Sequence, residues 1–260
     1  MVSRSGYYSY VSEFDNKKSN ELLLVATTVL HVQSRGSYGS RRIAKGLQEQ
    51  GFKVGRYRAR SLMRESGVVC KQRRRYKVTT KANPDLVPVD NVLERDFSAS
   101  KPNIKWVCDI TYLWTQEGWL YLAAVLDLYS RRVIGWSLAE HMREELTINA
   151  LLMALSRRKP GATVLHHSDR GSQYSSEKYR SFLKEYGFNE SMSRKGNCWD
   201  NAVMERFFGS LKSERTDDMK YTTRQEAKED IIDYIEMFYN NKRMHSVLGY
   251  RSPVDFENSL

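Results

Sequence analysis

The pattern of hydrophobic and polar positions changes about one hundred residues into the chain. Before that point, apolar residues recur at helical spacing, and they predict helices over residues 19–32, 41–50 and about 56–66. Ser40 is the expected N-cap of the second helix, and Gly51 and Gly67 are the expected stops of the second and third. From Trp106 onward, runs rich in aromatic and β-branched residues replace the helical spacing.

The second and third helices, joined by the turn at residues 51–55, match a helix-turn-helix. The third helix is rich in arginine, which can reach phosphates or guanine edges in a major groove. A basic run at residues 71–75 follows it and can track a phosphate backbone. A merely solvated basic surface is the alternative. The candidate DNA-binding residues of this part are Arg41, Arg42, Arg56, Arg58, Arg60, Arg64, Arg73, Arg74 and Arg75.

The later part predicts strands over residues 106–115, 119–128 and 131–138, then a helix over 144–158. A strand at 162–167, a helix at 177–186 and a strand at 188–192 follow, and the chain from 199 is mostly helical. Three antiparallel strands and then alternating helices and strands is the order of a ribonuclease-H-like fold. We therefore predict an α/β fold with a mixed five-stranded sheet and flanking helices, preceded by a small all-α helix-turn-helix domain.

Charge and proline placement divide the chain in the same way. Residues 1–95 hold 19 Lys and Arg against 8 Asp and Glu, whereas residues 96–260 hold 23 of each. A basic segment beside a neutral one suggests a polyanion-binding module attached to a separate domain. Prolines at 84, 88 and 102 indicate a linker. The expected domains are 1–75 (helix-turn-helix), 76–100 (linker), 101–215 (catalytic core) and 216–260 (C-terminal helical extension).

Several classes of protein are excluded by composition. No run of about 18 apolar residues exists, so no membrane span is predicted. The first residues lack the apolar stretch of a signal peptide, so the expected location is the cytoplasm. The three cysteines, Cys70, Cys108 and Cys198, form no CxxC pair, which argues against a zinc knuckle and a disulfide framework.

Three acidic residues are the candidates for chemistry. Asp109 lies inside a hydrophobic strand, Asp169 follows a short apolar strand, and Glu205 lies on a predicted helix. Taken alone, each also fits a structural role, as a hydrogen-bonded, turn or surface carboxylate. Together they can converge on divalent cations, because magnesium prefers hard oxygen ligands, and two ions can activate an attacking oxygen and stabilise a leaving one.

A set of motifs then carries a resemblance to a known family. They are YGSRRI at 38–43, DITY at 109–112, GWLYL at 118–122, VLDLYSRR at 125–132, HSDRGSQY at 167–174, SRKGNCWDNA at 193–202 and YNNKR at 239–243. Thirty-five residues separate Asp169 from Glu205. Over nearly its whole length the chain resembles the second-frame (OrfB-type) subunit of bacterial insertion-sequence transposases of the insertion-sequence-three kind, in the DDE transposase and retroviral integrase superfamily.

The resemblance implies a polynucleotidyl transferase. It implies that Asp109, Asp169 and Glu205 bind two Mg²⁺ ions, with Mn²⁺ able to substitute, and that Lys212 contacts DNA near the cleaved phosphate. Water attacks at an element end, and the freed 3′-hydroxyl then attacks another strand. The implied partners are double-stranded DNA (terminal inverted repeats and target), further copies of the chain as a homodimer or higher, and a first-frame (OrfA-type) partner or fusion. The implied location is the bacterial nucleoid.

Two other functions compete with this interpretation. One is a non-catalytic DNA-binding regulator of the element that acts through the helix-turn-helix, and the other is a ribonuclease-H-type nuclease without strand transfer. The acidic triad argues against the first, and the helix-turn-helix and glutamate spacing argue against the second. We also expect His167 to be a hydrogen-bonded structural residue rather than part of the site. Trp199, Phe207 and Phe208 are expected to pack in the core.

Overall fold

A computed structural model describes residues 3–71, 89–161, 163–194 and 197–259 of the chain. Its internal contacts divide the chain into two compact units, Met1–Arg73 and Arg74–Leu260. The candidate residues Arg73, Arg74 and Arg75 lie outside the described residues. In the part of the chain that is described, no helix combines the length and the apolar character needed to cross a membrane.

The first unit consists of three helices, α1 (Arg4–Gln33), α2 (Ser40–Glu49) and α3 (Arg56–Glu65). Its core is formed by apolar side chains on one face of each shorter helix, with Ile43, Leu47 and Leu62 fully buried. The connection between α2 and α3 begins at Gly51, whose φ of +89° favours glycine, as expected for a helix stop. The helix-turn-helix arrangement predicted from the sequence is therefore present.

Two boundaries in this unit differ from the prediction. Helix α1 begins at Arg4 rather than at residue 19, and the Ser3 hydroxyl caps it by accepting from Gly6 N at 3.1 Å. Ser40 is the first residue of α2 and not its N-cap. Gly39 takes that position because its carbonyl already accepts a hydrogen bond from Ile43 N at 3.0 Å.

The second unit contains a five-stranded mixed sheet in the order β3-β2-β1-β4-β5. Its strands are β1 (Lys105–Thr115), β2 (Gly118–Asp127), β3 (Val133–Ala139), β4 (Leu165–Ser168) and β5 (Asn189–Met192). The first three are antiparallel, and β4 and β5 run parallel to β1. This arrangement confirms the predicted fold class, with each predicted strand observed within three residues at either end.

Helices cover both faces of the sheet. On one face, Trp106, Cys108 and Val125 share a buried cluster with side chains of α4 (Glu144–Arg158) and α5 (Glu177–Glu185). On the other face, Val107 and Leu122 share a cluster with side chains of α6 (Ala202–Leu211), α7 (Arg224–Ile232) and the segment Asp233–Tyr239. The alternation of side chains along β1 therefore supplies both cores from one strand.

Two segments after the sheet depart from regular α-helix. The chain continues from α6 into a π-helical turn, Lys212–Thr216, and from α7 into a second, Asp233–Tyr239. A buried ion pair joins them to the residues beyond, because Arg243 donates to Glu214 at 2.6 and 2.7 Å and Tyr234 OH donates to the same carboxylate at 2.8 Å.

The last helix, α8 (Pro253–Glu257), is held against the core by hydrogen bonds and ion pairs of Glu257. Glu257 accepts from Ser130 at 2.6 Å, from Arg132 at 2.8 Å and from Arg158 at 2.5 Å. These partners lie in the β2–β3 connection and at the end of α4, so the C-terminal segment fastens two parts of the core together.

Candidate active site

Asp109 and Asp169 lie just beyond the parallel pairing of β1 and β4. The pairing aligns Lys105 with Leu165 and Val107 with His167. Asp109 and Asp169 each lie two residues beyond that last aligned pair, and Asp169 immediately follows the end of β4 at Ser168. Both side chains are half-buried at this edge.

The electrostatics of Asp109 reflect that proximity. Burial raises its pKa well above the ordinary value, and the neighbouring Asp169 carboxylate raises it further. Glu205 adds to the increase, whereas the hydrogen bond from Ile110 N (2.7 Å) and the charge of Lys212 oppose it. Asp169, Glu205 and Lys212 therefore all act electrostatically on the Asp109 carboxylate.

Asp169 is oriented by its own loop. Its Oδ1 accepts a hydrogen bond from Gly171 N at 2.9 Å. Burial raises the pKa of Asp169, and this hydrogen bond opposes the increase. A Cβ at position 171 would lie 3.0 Å from the same Oδ1, so the glycine lets the backbone approach the carboxylate closely.

Glu205 lies in the first turn of α6, where its side chain is exposed. The helix is fixed by the buried residues Met204, Phe207 and Phe208 on its inner face. Just before the helix, Asn201 Nδ2 donates to the carbonyl oxygen of Cys108 at 3.0 Å. The segment before Glu205 is therefore bonded to the residue before Asp109.

Asp200 anchors the loop that leads into α6, and it was not among the residues singled out from the sequence. Its fully buried carboxylate accepts from Arg194 N and Nη2 at 2.9 Å, from Arg95 Nε at 2.8 Å and from Asn91 Nδ2 at 2.9 Å. The Arg194 hydrogen bond is the largest of the effects that hold its pKa well below the ordinary range. The only signal in the sequence was its position beside Asn201 in the motif at 193–202.

Lys212 lies at the start of the first π-helical turn, one residue beyond the end of α6. Its Nζ lies 5.4 Å from the centroid of the Tyr112 ring. Burial lowers the pKa of Lys212, and the charges of Asp217 and Asp109 oppose this decrease. The lysine therefore faces both the acids and the exposed end of β1.

His167 makes two hydrogen bonds within the core, with Ser191 Oγ at 2.9 Å and Ser193 Oγ at 3.1 Å. Burial lowers its pKa to about 4, so the ring is neutral at pH 7. The geometry is that of the structural histidine expected from the sequence. Phe207 and Phe208 are buried as expected, but Trp199 is 68% exposed. That prediction was wrong because Trp199 lies on the short turn Cys198–Asn201, before the amphipathic helix begins.

Metal-binding geometry is only partly formed. Within the described ranges, no three His, Cys, Asp or Glu side chains are grouped closely enough to hold one metal ion. Asp109 and Asp169 supply neighbouring carboxylates. Glu205 lies at the exposed surface of α6, and its charge also acts on Asp109. Oxygen donors of this kind fit a hard divalent cation rather than zinc.

The predicted DNA-binding residues of the first unit are placed on two helices. Arg56, Arg58, Arg60 and Arg64 of α3 have exposed side chains, as does Arg41 of α2. Arg58 is bonded to Glu65 Oε1 at 3.0 Å and to Asn20. The guanidinium of Arg42 lies 5.4 Å from the ring centroid of the buried Tyr38. The arginines of α3 thus have side chains exposed to solvent, whereas the Arg42 side chain packs partly against Tyr38.

Comparisons with known proteins agree with this geometry. An integrase core domain model matches residues 99–198, a second integrase core domain model matches residues 205–260, and an HTH-like domain model matches residues 18–76. A 31 kDa protein of insertion element IS600 from Shigella sonnei is 46% identical over 98% of this chain and 94% of its own. Transposase InsF of insertion sequence IS3A from Escherichia coli K12 is 40% identical over 99% of this chain and 91% of its own.

The fold also resembles a solved viral assembly. A chain in the structure of the simian T-cell lymphotropic virus intasome in complex with PP2A regulatory subunit B56 gamma aligns with a TM-score of 0.52 and 15% identity. The alignment covers 90% of this chain and 75% of the viral one. At this identity the likeness concerns the fold, and it agrees with the ribonuclease-H-like arrangement of the sheet.

Proposed function

Because the chain belongs to the family of insertion-sequence transposases with an integrase catalytic core, we propose that it cleaves DNA strands at insertion-sequence ends and joins them to target DNA. The observation that supports the proposal is that Asp109 and Asp169 each follow the paired part of β1 and β4 by two residues, and that the charges of Asp169 and Glu205 both raise the pKa of Asp109. We assign these three residues as the DDE triad.

The electrostatic state of the triad supports a cation site. Adjacent buried carboxylates repel each other, and a bound divalent cation offsets that repulsion and holds them ionised. Two Mg²⁺ ions, when bound, would supply activation of the attacking oxygen and stabilisation of the leaving oxygen. The chain's own contribution is to hold Asp169 through Gly171, to hold Asp109 through the sheet, and to carry Glu205 on a helix bonded to Cys108.

The first unit supplies the proposed attachment to double-stranded DNA. The exposed arginines of α3 would contact phosphates and base edges of a terminal inverted repeat. Lys212 would contact the DNA near the cleaved phosphate, because it already faces Asp109 and the open end of β1. The basic run with Arg73, Arg74 and Arg75 is proposed to extend the phosphate contact.

Transposition brings two element ends together, so we propose a homodimer or larger assembly on DNA. We also propose that the chain acts with a first-frame partner, separate or fused, and that it is located in the bacterial cytoplasm at the nucleoid. A non-catalytic regulator that binds through α3 is the competing function, and the experiment below separates the two.

The deciding experiment is a nicking and strand-joining assay with duplexes that carry the flanking inverted repeats, in the presence of Mg²⁺. Asp169→Asn and Glu205→Gln should abolish both products while the protein still binds the duplex. Glu185→Gln is the matched control, because Glu185 is an exposed acid on α5 of the same unit and should retain activity.

A second readout tests the cation site apart from activity. Mg²⁺ should raise the melting temperature of the wild type and of Glu185→Gln, and should raise that of Asp169→Asn much less. Normal nicking by Asp169→Asn would refute the site. DNA binding without nicking by the wild type, even when fused to the first-frame partner, would favour the regulator.

A further inference from the structure

Three exposed aromatic side chains occupy the end of the β1–β2 hairpin, beyond the acids. The pairing of β1 with β4 stops two residues before Asp109, whereas its pairing with β2 continues to Thr115 and Gly118. Tyr112, Trp114 and Trp119 lie on this projecting part and are 38%, 60% and 44% exposed. Neither tryptophan belongs to the buried clusters on the two faces of the sheet.

The three rings form a preassembled surface. Trp114 and Trp119 are cross-strand partners whose centroids lie 4.9 Å apart at 77°, and Tyr112 and Trp119 lie 5.1 Å apart at 86°. Edge-to-face packing fixes the rings against one another but leaves ring surface open to solvent. Exposed aromatic surface of this extent, held in place on a regular hairpin, is typical of a binding site.

A cleft of about 490 Å³ lies between this hairpin and the chain that follows α6. The three aromatic residues and Leu113 line one side of it. The other side includes Lys212, Lys220 and Asp217, together with Thr216, Met219 and Tyr221. The balance of charge in the lining is positive, and Lys212 lies over the Tyr112 ring while also acting on Asp109.

We infer that this cleft binds unpaired bases of a DNA strand next to the cleavage site, an inference that rests on the proposed function. Aromatic rings beside lysines are the combination that holds single-stranded nucleic acid, because bases stack on the rings while the cations follow the phosphates. Trp114 and Trp119 supply the stacking surface, and Lys212 and Lys220 supply the charge. Lys212 lines the cleft and its charge also acts on Asp109, so we take the occupant to be the strand end on which the acids act.

An apolar peptide is the main competing occupant, and the charge of the cleft argues against it. Two lysines in a small cleft offer nothing to an apolar side chain, whereas they complement a phosphate backbone.

The test compares two DNA probes in an Asp169→Asn background, where no cleavage can occur. One probe is a terminal-repeat duplex with three unpaired nucleotides at its end, and the other is the fully paired duplex of the same sequence. Fluorescence anisotropy should give tighter binding of the unpaired end. Trp114→Ala and Trp119→Ala should each weaken that binding about 5- to 150-fold while changing affinity for the paired duplex little.

Trp119→Phe should restore most of the preference, because it retains a stacking ring and the hairpin. Tyr186→Ala is the matched control, since it removes an exposed ring (48%) from α5 of the same unit. Equal affinity of the parent for the two probes would overturn the inference, as would equal losses on both probes in the tryptophan variants. Nicking by the otherwise wild-type chain is measured separately, so a failed inference with normal nicking is distinguishable from a failed proposed function.

Discussion

The side-chain amide of Asn201 donates to the backbone carbonyl of Cys108 across 3.0 Å. This hydrogen bond is buried, and it joins the turn before α6 to the middle of β1. Each of its partners lies within four residues of a member of the proposed triad: Cys108 precedes Asp109, and Asn201 lies four residues before Glu205. A backbone acceptor in the central strand therefore sets the position of the helix that carries the third acid.

Asn201→Ala should loosen this junction. The buried carbonyl of Cys108 would lose its donor, which costs about 1–3 kcal/mol in the free energy of unfolding. Nicking should fall further than stability alone explains, because Glu205 loses its fixed position. Urea unfolding and single-turnover nicking measure the two effects. Asn189→Ala, at an exposed side chain of β5, is the control, and an Asn201→Ala protein with unchanged stability and activity would contradict the assignment.

Asp200 predicts an acid-sensitive contribution to stability. The pKa of Asp200 is held below its ordinary value of 3.8 in the folded protein, chiefly by the hydrogen bond from Arg194. A depressed pKa gives stability that is present above the unfolded value and is lost as pH falls through the folded one. The wild type should therefore lose stability below about pH 4 by an amount that Asp200→Asn lacks.

Melting temperatures from pH 7 to pH 2.5 measure this difference. At pH 7, Asp200→Asn should be less stable by about 1–3 kcal/mol, because hydrogen bonds to a charged acceptor are replaced by weaker ones. Parallel stability curves for the two proteins across the acid range would show that the carboxylate does not anchor the loop.

Gly135 predicts a steric limit between β3 and α4. A Cβ at this position would lie 2.1 Å from the carbonyl oxygen of Ala150 and 2.8 Å from the nitrogen of Ala154, both backbone atoms. Gly135→Ala should lower the free energy of unfolding by about 1–3 kcal/mol or more, because the helix must shift from the sheet. Gly161→Ala is the control, since no atom lies within 4 Å of its Cβ and no loss is expected. Chemical denaturation of both variants measures their free energies of unfolding.

The buried pair of Glu214 and Arg243 predicts strong coupling. Arg243→Met or Glu214→Met should each cost about 3–5 kcal/mol, because the remaining charge is buried without its partner. The double variant should cost much less than the sum of the single ones. A double-mutant cycle from denaturant unfolding tests this, and additive losses would show that the first π-helical turn and Arg243 are not coupled through the pair.

The sequence predicted the sheet well because its strands are rich in aromatic and β-branched residues and end at clear turns. Helix α4 begins and ends at the predicted residues, and each acid lies on the kind of element expected of it. Asp200 was not singled out because two of its partners, Arg95 and Asn91, are about one hundred residues away along the chain. Contacts of that kind are set by the fold and leave no local pattern.

One error came from assuming a regular helix where the chain departs from one. Trp199 was expected in the core, although it lies on the short turn Cys198–Asn201 that precedes α6. Helix α6 itself ends at Leu211, and a wider π-helical turn begins at Lys212. In both places the residue types fit a regular helix, and the departure depends on tertiary contacts.

Strand β1 is longer than β4, so the two ends of β1 lie in different surroundings. Its first residues, such as Trp106 and Val107, lie in the interior between neighbours on both sides, whereas Tyr112 and Trp114 extend past the end of β4. A substitution scan along this strand should therefore produce a gradient of phenotypes. Changes at Trp106 and Val107 should lower the yield of folded protein, and changes at Tyr112 and Trp114 should leave folded protein that binds DNA poorly. Asp109 lies between the buried and the exposed parts of this strand.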